Sequence, residues 1–202
     1  MPEDWCGPAI APVRTLELGK YRRARVWIGE LPDAACPSVK TLTHAITAGK
    51  ERQDGLKLAA VELLIVTGPR SIYGLLGGQW KPDATGRLSV DVSVSAANER
   101  LLADSLAMKG DEVRVGLPAE YAKAVLAGVD LAKSELNALT AGKLSINFAA
   151  HGAIGSCEAV YKHLAVILVK LFNAASVEPS DDELMKLFPP TFSNRVNNRV
   201  KP

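Results

Sequence analysis

The chain has 202 residues, 48% of them hydrophobic, and a formal net charge of +2 from 24 basic and 22 acidic residues. That length and composition suffice for one sizeable core, and the near-balance of charge excludes a global field drawing the protein to nucleic acid or membrane. Three cysteines without paired spacing (Cys6, Cys36, Cys157) argue against a disulfide framework, and acidic Glu3 and Asp4 stand where a secretory leader is basic, so the expectation is a cytoplasmic protein with no membrane partner.

In chain order, residues 1–20 hold Pro2, Gly7, Pro8 and Pro12 and read as an irregular arm, followed by the basic cluster Lys20, Arg22, Arg23 and Arg25. Arg25–Ile28 reads as a short strand. Pro37–Lys50 carries Val39, Leu42 and Ile46 at helical spacing, with Pro37 suited to a first turn and Gly49 to a stop, which predicts a helix with His44 at its boundary. Leu58–Val66 predicts a strand, and the glycine-rich stretch Tyr73–Thr85 a loop or hairpin. Leu88–Ser95 alternates apolar and polar residues and is the clearest strand of all.

Asn98–Met108 reads as a helix and Asp111–Val115 as a strand. A proline-started amphipathic helix follows Pro118, with Tyr121, Val125, Val129, Ala132 and Leu136 on one stripe. Lys143–Phe148 is strand-like. The turn His151-Gly152-Ala153-Ile154-Gly155-Ser156 then leads into a second helix, Cys157–Phe172, whose polar positions Glu158, Lys162, His163 and Lys170 share a narrow face. A short helix at Asp181–Phe188 precedes a basic tail containing Arg195, Arg199 and Lys201. The division this suggests is an arm with a strand-helix extension over 1–58, an α/β domain over 59–175, and a C-terminal helix with the tail over 176–202.

The segment Pro118-Ala119-Glu120-Tyr121, then Ala124-Val125, then Gly128-Val129, resembles the helix of domain IV in bacterial elongation factor G. Ile146–Phe148 is similar to that domain's next strand, and Ser156-Cys157-Glu158-Ala159 to its following helix start. Over about residues 85–173 the resemblance implies a mixed α/β (α+β) two-layer sandwich with a left-handed split βαβ unit, as in several ribosomal proteins. It also implies that His151 stands in the place of the tip-loop histidine that reaches the decoding region. No G-x-x-x-x-G-K-[ST] run occurs, so the chain is not a translational GTPase. Gly152-Ala153-Ile154-Gly155-Ser156-Cys157 also resembles a degraded phosphate loop of the galactokinase, homoserine kinase and mevalonate kinase family, but Glu158 in the first helical turn would repel a phosphate there.

The reactive residue types gather at His151, Ser156, Cys157, Glu158 and His163. With Ser156 as N-cap and Glu158 complementing the helix dipole, the cluster has a structural explanation. The chemical alternative makes Cys157 a nucleophile with His151 as base; a metal held by His151, Cys157 and His163 fits ligand spacing worse. A second group, Trp80 with Lys81 and Arg87, would stack on a base and neutralise phosphate if exposed, or anchor its loop if buried.

No catalytic constellation is complete and no cofactor is implied. The leading expectation is therefore a non-catalytic binding module contacting RNA or a ribonucleoprotein, through Trp80, Lys81, Arg87, His151, Gly152, Gly155 and Ser156 at one end of the sheet. Two other readings stand beside it. One is a small enzyme or small-molecule binder using the His151–Glu158 loop. The other is an oligomeric structural protein pairing through residues 22–50, consistent with a mean hydropathy of +0.07.

Overall fold

Alternating and β-branched residues recur through the first half of the chain, and the regular elements described there are all strands. β1 (Arg14–Glu17), β2 (Arg22–Ile28), β3 (Lys40–Thr47), β4 (Leu58–Thr67), β5 (Arg70–Pro82), β6 (Arg87–Val94) and β7 (Val113–Val115) precede α1 (Ala119–Leu136). After α1 come β8 (Gly142–Gly152), α2 (Glu158–Phe172) and α3 (Asp181–Lys186). The structure, a computed structural model, describes residues 13–47, 55–96, 99–136, 140–174 and 176–188. The basic tail with Arg195, Arg199 and Lys201, together with Trp5 and Cys6, lies outside the described residues.

All eight strands join one sheet in the order β1-β2-β4-β5-β8-β6-β3, with β7 paired to β8. The sheet runs unbroken from the N-terminal strands into the later ones. Only β6 and β8 run parallel, and α1 supplies the crossover a parallel pair requires. These two strands hydrogen-bond directly, so no strand splits the βαβ unit. The mixed α/β architecture expected from sequence is present; an inserted strand is not.

α1 packs on β3 and β6, and α2 on β4 and β5, all on one face of the sheet. From Val160 to Phe172, α2 buries every residue except Lys162, His163 and Lys170, the narrow polar face read from sequence. The two helices cross at Gly128, where a Cβ would collide with the Lys162 carbonyl and Ala165. α3 opens with a capping box between Ser180 and Glu183 and is tied to β1 by Arg14–Asp181 at 3.3 Å.

Four local expectations are corrected. The helix expected over 37–50 is strand β3. Leu42 and Ile46, four apart, suit helix and strand alike, while Thr41, Thr43 and Thr47 favour the strand, and pairing with β6 decides it. His44 thereby faces α1, with Nε2 3.0 Å from Asp130. The glycine-rich Tyr73–Thr85 stretch is not a loop but most of β5, paired on both edges. A Cβ on Gly77 would lie 2.6 Å from Ala60 Cβ, and one on Gly78 2.5 Å from the Ser145 carbonyl, at a bulge where β8 carries Asn147 as an extra residue.

The helix expected over 98–108 is absent from 99 onward. Residues 99–112 form an irregular strap whose Leu102, Leu106 and Ala107 pack on the second face of the sheet. Within the expected irregular arm, Arg14–Glu17 forms edge strand β1. Of the segment expected to pair with another copy, β2 is already paired along both edges, by β1 and β4. Among the described residues, no helix is long and apolar enough to cross a membrane.

Candidate functional site

The loop between β8 and α2 is held from three sides. His151 lies inside β8 and not in the turn after it, and its Nδ1 is 3.1 Å from the Gly116 carbonyl. A carbonyl only accepts, so Nδ1 is the donor in this contact. The ring meets Tyr121 edge-on, and Tyr121 stacks on Tyr161 with centroids 4.7 Å apart. The Tyr161 hydroxyl, fully enclosed, donates to the Ala150 carbonyl at 2.6 Å.

Ser156 is not the N-cap. Its hydroxyl accepts the Gly152 N–H at 2.9 Å and donates to the Tyr73 carbonyl at 2.8 Å, which ties the loop to β5 and turns the side chain away from the helix start. Cys157 takes the cap position in extended conformation, without a side-chain cap hydrogen bond, and is exposed. Its thiol has no hydrogen-bond partner among the described residues, so no Cys157–His151 couple is assembled. Nor do the described residues bring three His, Cys, Asp or Glu side chains together around a metal position.

The loop amides resembling a phosphate turn are occupied from within. Asp111, at the end of the strap, accepts the N–H groups of Ile154 at 2.9 Å and Gly155 at 3.0 Å. Successive backbone amides around one anion are the arrangement a phosphate turn uses; here a carboxylate of the same chain fills it. Cβ atoms on Gly152 or Gly155 would run into that carboxylate, which is why both positions are glycine.

Trp80 is only 3% exposed and belongs to the helix-side core, among Leu88, Leu144, Val169 and Phe172. It pairs with Leu144 near the start of β8, whereas His151 is near the end of that strand. The surface expected to combine Trp80 with the His151 loop therefore does not form. Lys81 and Arg87 do come together. Lys81 pairs with Lys143, Lys143 pairs with Ser89, and Arg87 is one pleat along β6 from Ser89, so all project from the second face, where no segment among the described residues covers β3, β6 and the start of β8.

The other half of that face lies under the strap, and it holds a charge cluster that sequence reasoning missed. Glu62 of β4 is completely enclosed. Its Oε1 accepts the Tyr73 hydroxyl at 2.8 Å and the Leu106 N–H at 2.8 Å. Arg25 Nε sits 2.8 Å from Oε2, a charge contact whose N–H is off-axis for a hydrogen bond. The same guanidinium reaches Asp104 of the strap at 2.7 Å and lies over the Trp27 ring. Burial outweighs these donors and holds the Glu62 carboxyl above its usual range; burial, then the Glu62 charge and hydrogen bond, push the Tyr73 phenol well up. The one available sequence signal was a lone acidic residue inside the apolar run Leu58–Val66.

No family model, curated protein or solved structure matches this chain.

Proposed function

We propose that this chain is a non-catalytic binding module that contacts RNA or a ribonucleoprotein through the open half of its sheet. The observation that carries the reading is the set of cations there. Lys81, Arg87 and Lys143 project from neighbouring strands onto one face that no described segment covers, and Lys81 and Arg87 have no acidic partner among the described residues. Such cations neutralise phosphates without regard to sequence, and the intervening Gln79, Ser89 and Ser145 suit phosphate and sugar oxygens. With Trp80 in the core, contact runs to the backbone and not to a base stacked on that indole.

The reactive side chains support the non-catalytic part of the reading, because His151, Ser156 and the glycine-loop amides each serve a structural hydrogen bond. The kinship proposed is with domain IV of bacterial elongation factor G, through the Pro118–Val129 segment that opens α1.

Filter binding of the purified chain to total cellular RNA and to 30S subunits, across a salt series, tests this. Saturable binding is expected, weakening steeply with salt. Lys81→Glu with Arg87→Glu should lower the log–log salt slope by about 0.7–0.9 for each phosphate contact removed. Absence of binding at the lowest salt overturns the reading.

A further inference from the structure

At the opposite end of β5 from Lys81, the β4–β5 turn faces residues 108–111 across a cavity of about 240 Å³. That is the liquid volume of about eight water molecules, enough for a fused aromatic or short acyl group. Val66, Pro69, Met108 and Ile154 give it apolar walls, and Arg70 and Lys109 give it charge. Ile154 is 77% exposed and Met108 46%, so two large apolar side chains stand in water at the rim of the same cavity.

Two cations and one carboxylate, Arg70, Lys109 and Asp111, line the wall, an excess of positive charge. Arg70 and Lys109 have no acidic partner among the described residues. The carboxylate on the same wall, Asp111, turns its two oxygens to the Ile154 and Gly155 amides, whose N–H dipoles offset its charge. The far wall is also fixed before any ligand arrives, because Gly155 accepts the Tyr73 N–H at 2.9 Å and Ser156 is bonded on both sides.

We propose that this cavity binds a small amphipathic organic anion, its apolar body against Met108 and Ile154 and its carboxylate, sulfonate or phosphate-ester head between Arg70 and Lys109. The site is separate from the cationic face of the sheet and stands or falls independently of it.

The test titrates 2-naphthoate into the full chain and follows backbone amides by ¹H–¹⁵N correlation spectra. The neutral 2-naphthylmethanol and inorganic phosphate serve as comparison probes. Saturable shifts centred on Arg70, Lys109, Ile154 and Gly155 are expected, with the alcohol about tenfold weaker, the scale of a lost charge-assisted contact. Arg70→Gln with Lys109→Gln, and separately Ile154→Ser, should each weaken naphthoate by about the same factor while leaving distant amides unshifted. If a variant fails to fold, the three probes on the unmodified chain decide the matter alone. No saturable response, equal affinity for acid and alcohol, an equal response to bare phosphate, or shifts centred elsewhere would each overturn the proposal.

Discussion

Arg25–Glu62 and Lys143–Asp91 are both cross-strand ion pairs on the second face of one sheet, each with its closest N···O distance at 2.8 Å. What lies above them differs. The strap covers the first pair and leaves the Glu62 side chain no exposed surface; the second faces solvent, with Lys143 54% and Asp91 21% exposed. Desolvation of charge grows with burial, and so does the cost of leaving one partner alone. The same contact is therefore a structural commitment in one half of the face and a surface decoration in the other. The open half leaves Lys81 and Arg87 without an acidic partner among the described residues, while the covered half uses its polar groups to hold the strap.

The comparison breaks most sharply at Glu62. Glu62→Ala leaves Arg25, the Tyr73 hydroxyl and the Leu106 N–H without their acceptor, and should lower unfolding free energy in urea by about 3–5 kcal/mol. Replacing both charges, Arg25→Met with Glu62→Leu, should recover the part of that loss that comes from the stranded guanidinium, while the Tyr73 hydroxyl and the Leu106 N–H stay without an acceptor. Recovery would show that desolvated charge, and not loss of packing, sets that part of the cost.

Next in size is the far anchor of the strap. Asp111→Ala frees the Ile154 and Gly155 amides, and about 1–3 kcal/mol should be lost, with faster amide hydrogen exchange at those two positions. Unchanged exchange there would mean that the strap is held by Glu62 and Arg25 alone. On the open half, Asp91→Asn removes the carboxylate from Lys143 and Thr43 in water and should cost only about 0.2–1 kcal/mol. A larger loss would show that the open half is covered in solution.

The finest distinction is the sign of the pH dependence. Burial raises the Glu62 carboxyl above its ordinary 4.5, so the folded state holds that proton more tightly than the unfolded one. The contribution of Glu62 is then greatest below 4.5 and falls as pH rises through the folded value. Lys143 first, and Thr43 with it, lower the Asp91 carboxyl below 3.8, so its stabilisation is present above 3.8 and lost as pH falls through the folded value. Urea midpoints of Glu62→Gln and Asp91→Asn, each taken against the unmodified chain over this range, should give difference curves of opposite slope. Slopes of one sign would mean that the strap does not desolvate Glu62.

Legibility in the sequence followed the range of the forces involved. The strands at 58–67 and 87–94 and both long helices were visible, the first as an apolar run closed by Thr67-Gly68-Pro69 and the others by their own periodicity. β3 was misread because Leu42 and Ile46 fit two periods, and only β6 alongside chooses between them. β5 was misread because its glycines mark close approach to Ala60 and the Ser145 carbonyl, which looks like a turn when the neighbouring strands are unknown. At the loop, Ser156 and Cys157 exchanged roles because the Ser156 hydroxyl had a partner on β5 that no local rule supplies. Trp80 illustrates the same limit: beside Lys81 it suggested a stacking platform, yet the pleat of β5 turns the indole into the core and the lysine out.

What the chain determines alone is local. It sets where apolar stripes begin and end, a helix start after Pro118, a polar face of α2 at Lys162, His163 and Lys170, and the absence of a phosphate-loop signature. Which groups meet was decided only by the tertiary structure. Arg25, Glu62, Tyr73 and Asp104 come from four separate stretches, and Asp111 reaches the Ile154 and Gly155 amides from across the fold. A pattern of residues reports the surface each segment must bury. The partner of a buried charge, and the side of a strand left open to solvent, depend on strand order and on where an irregular strap comes to rest, and these are set by contacts far apart in the chain.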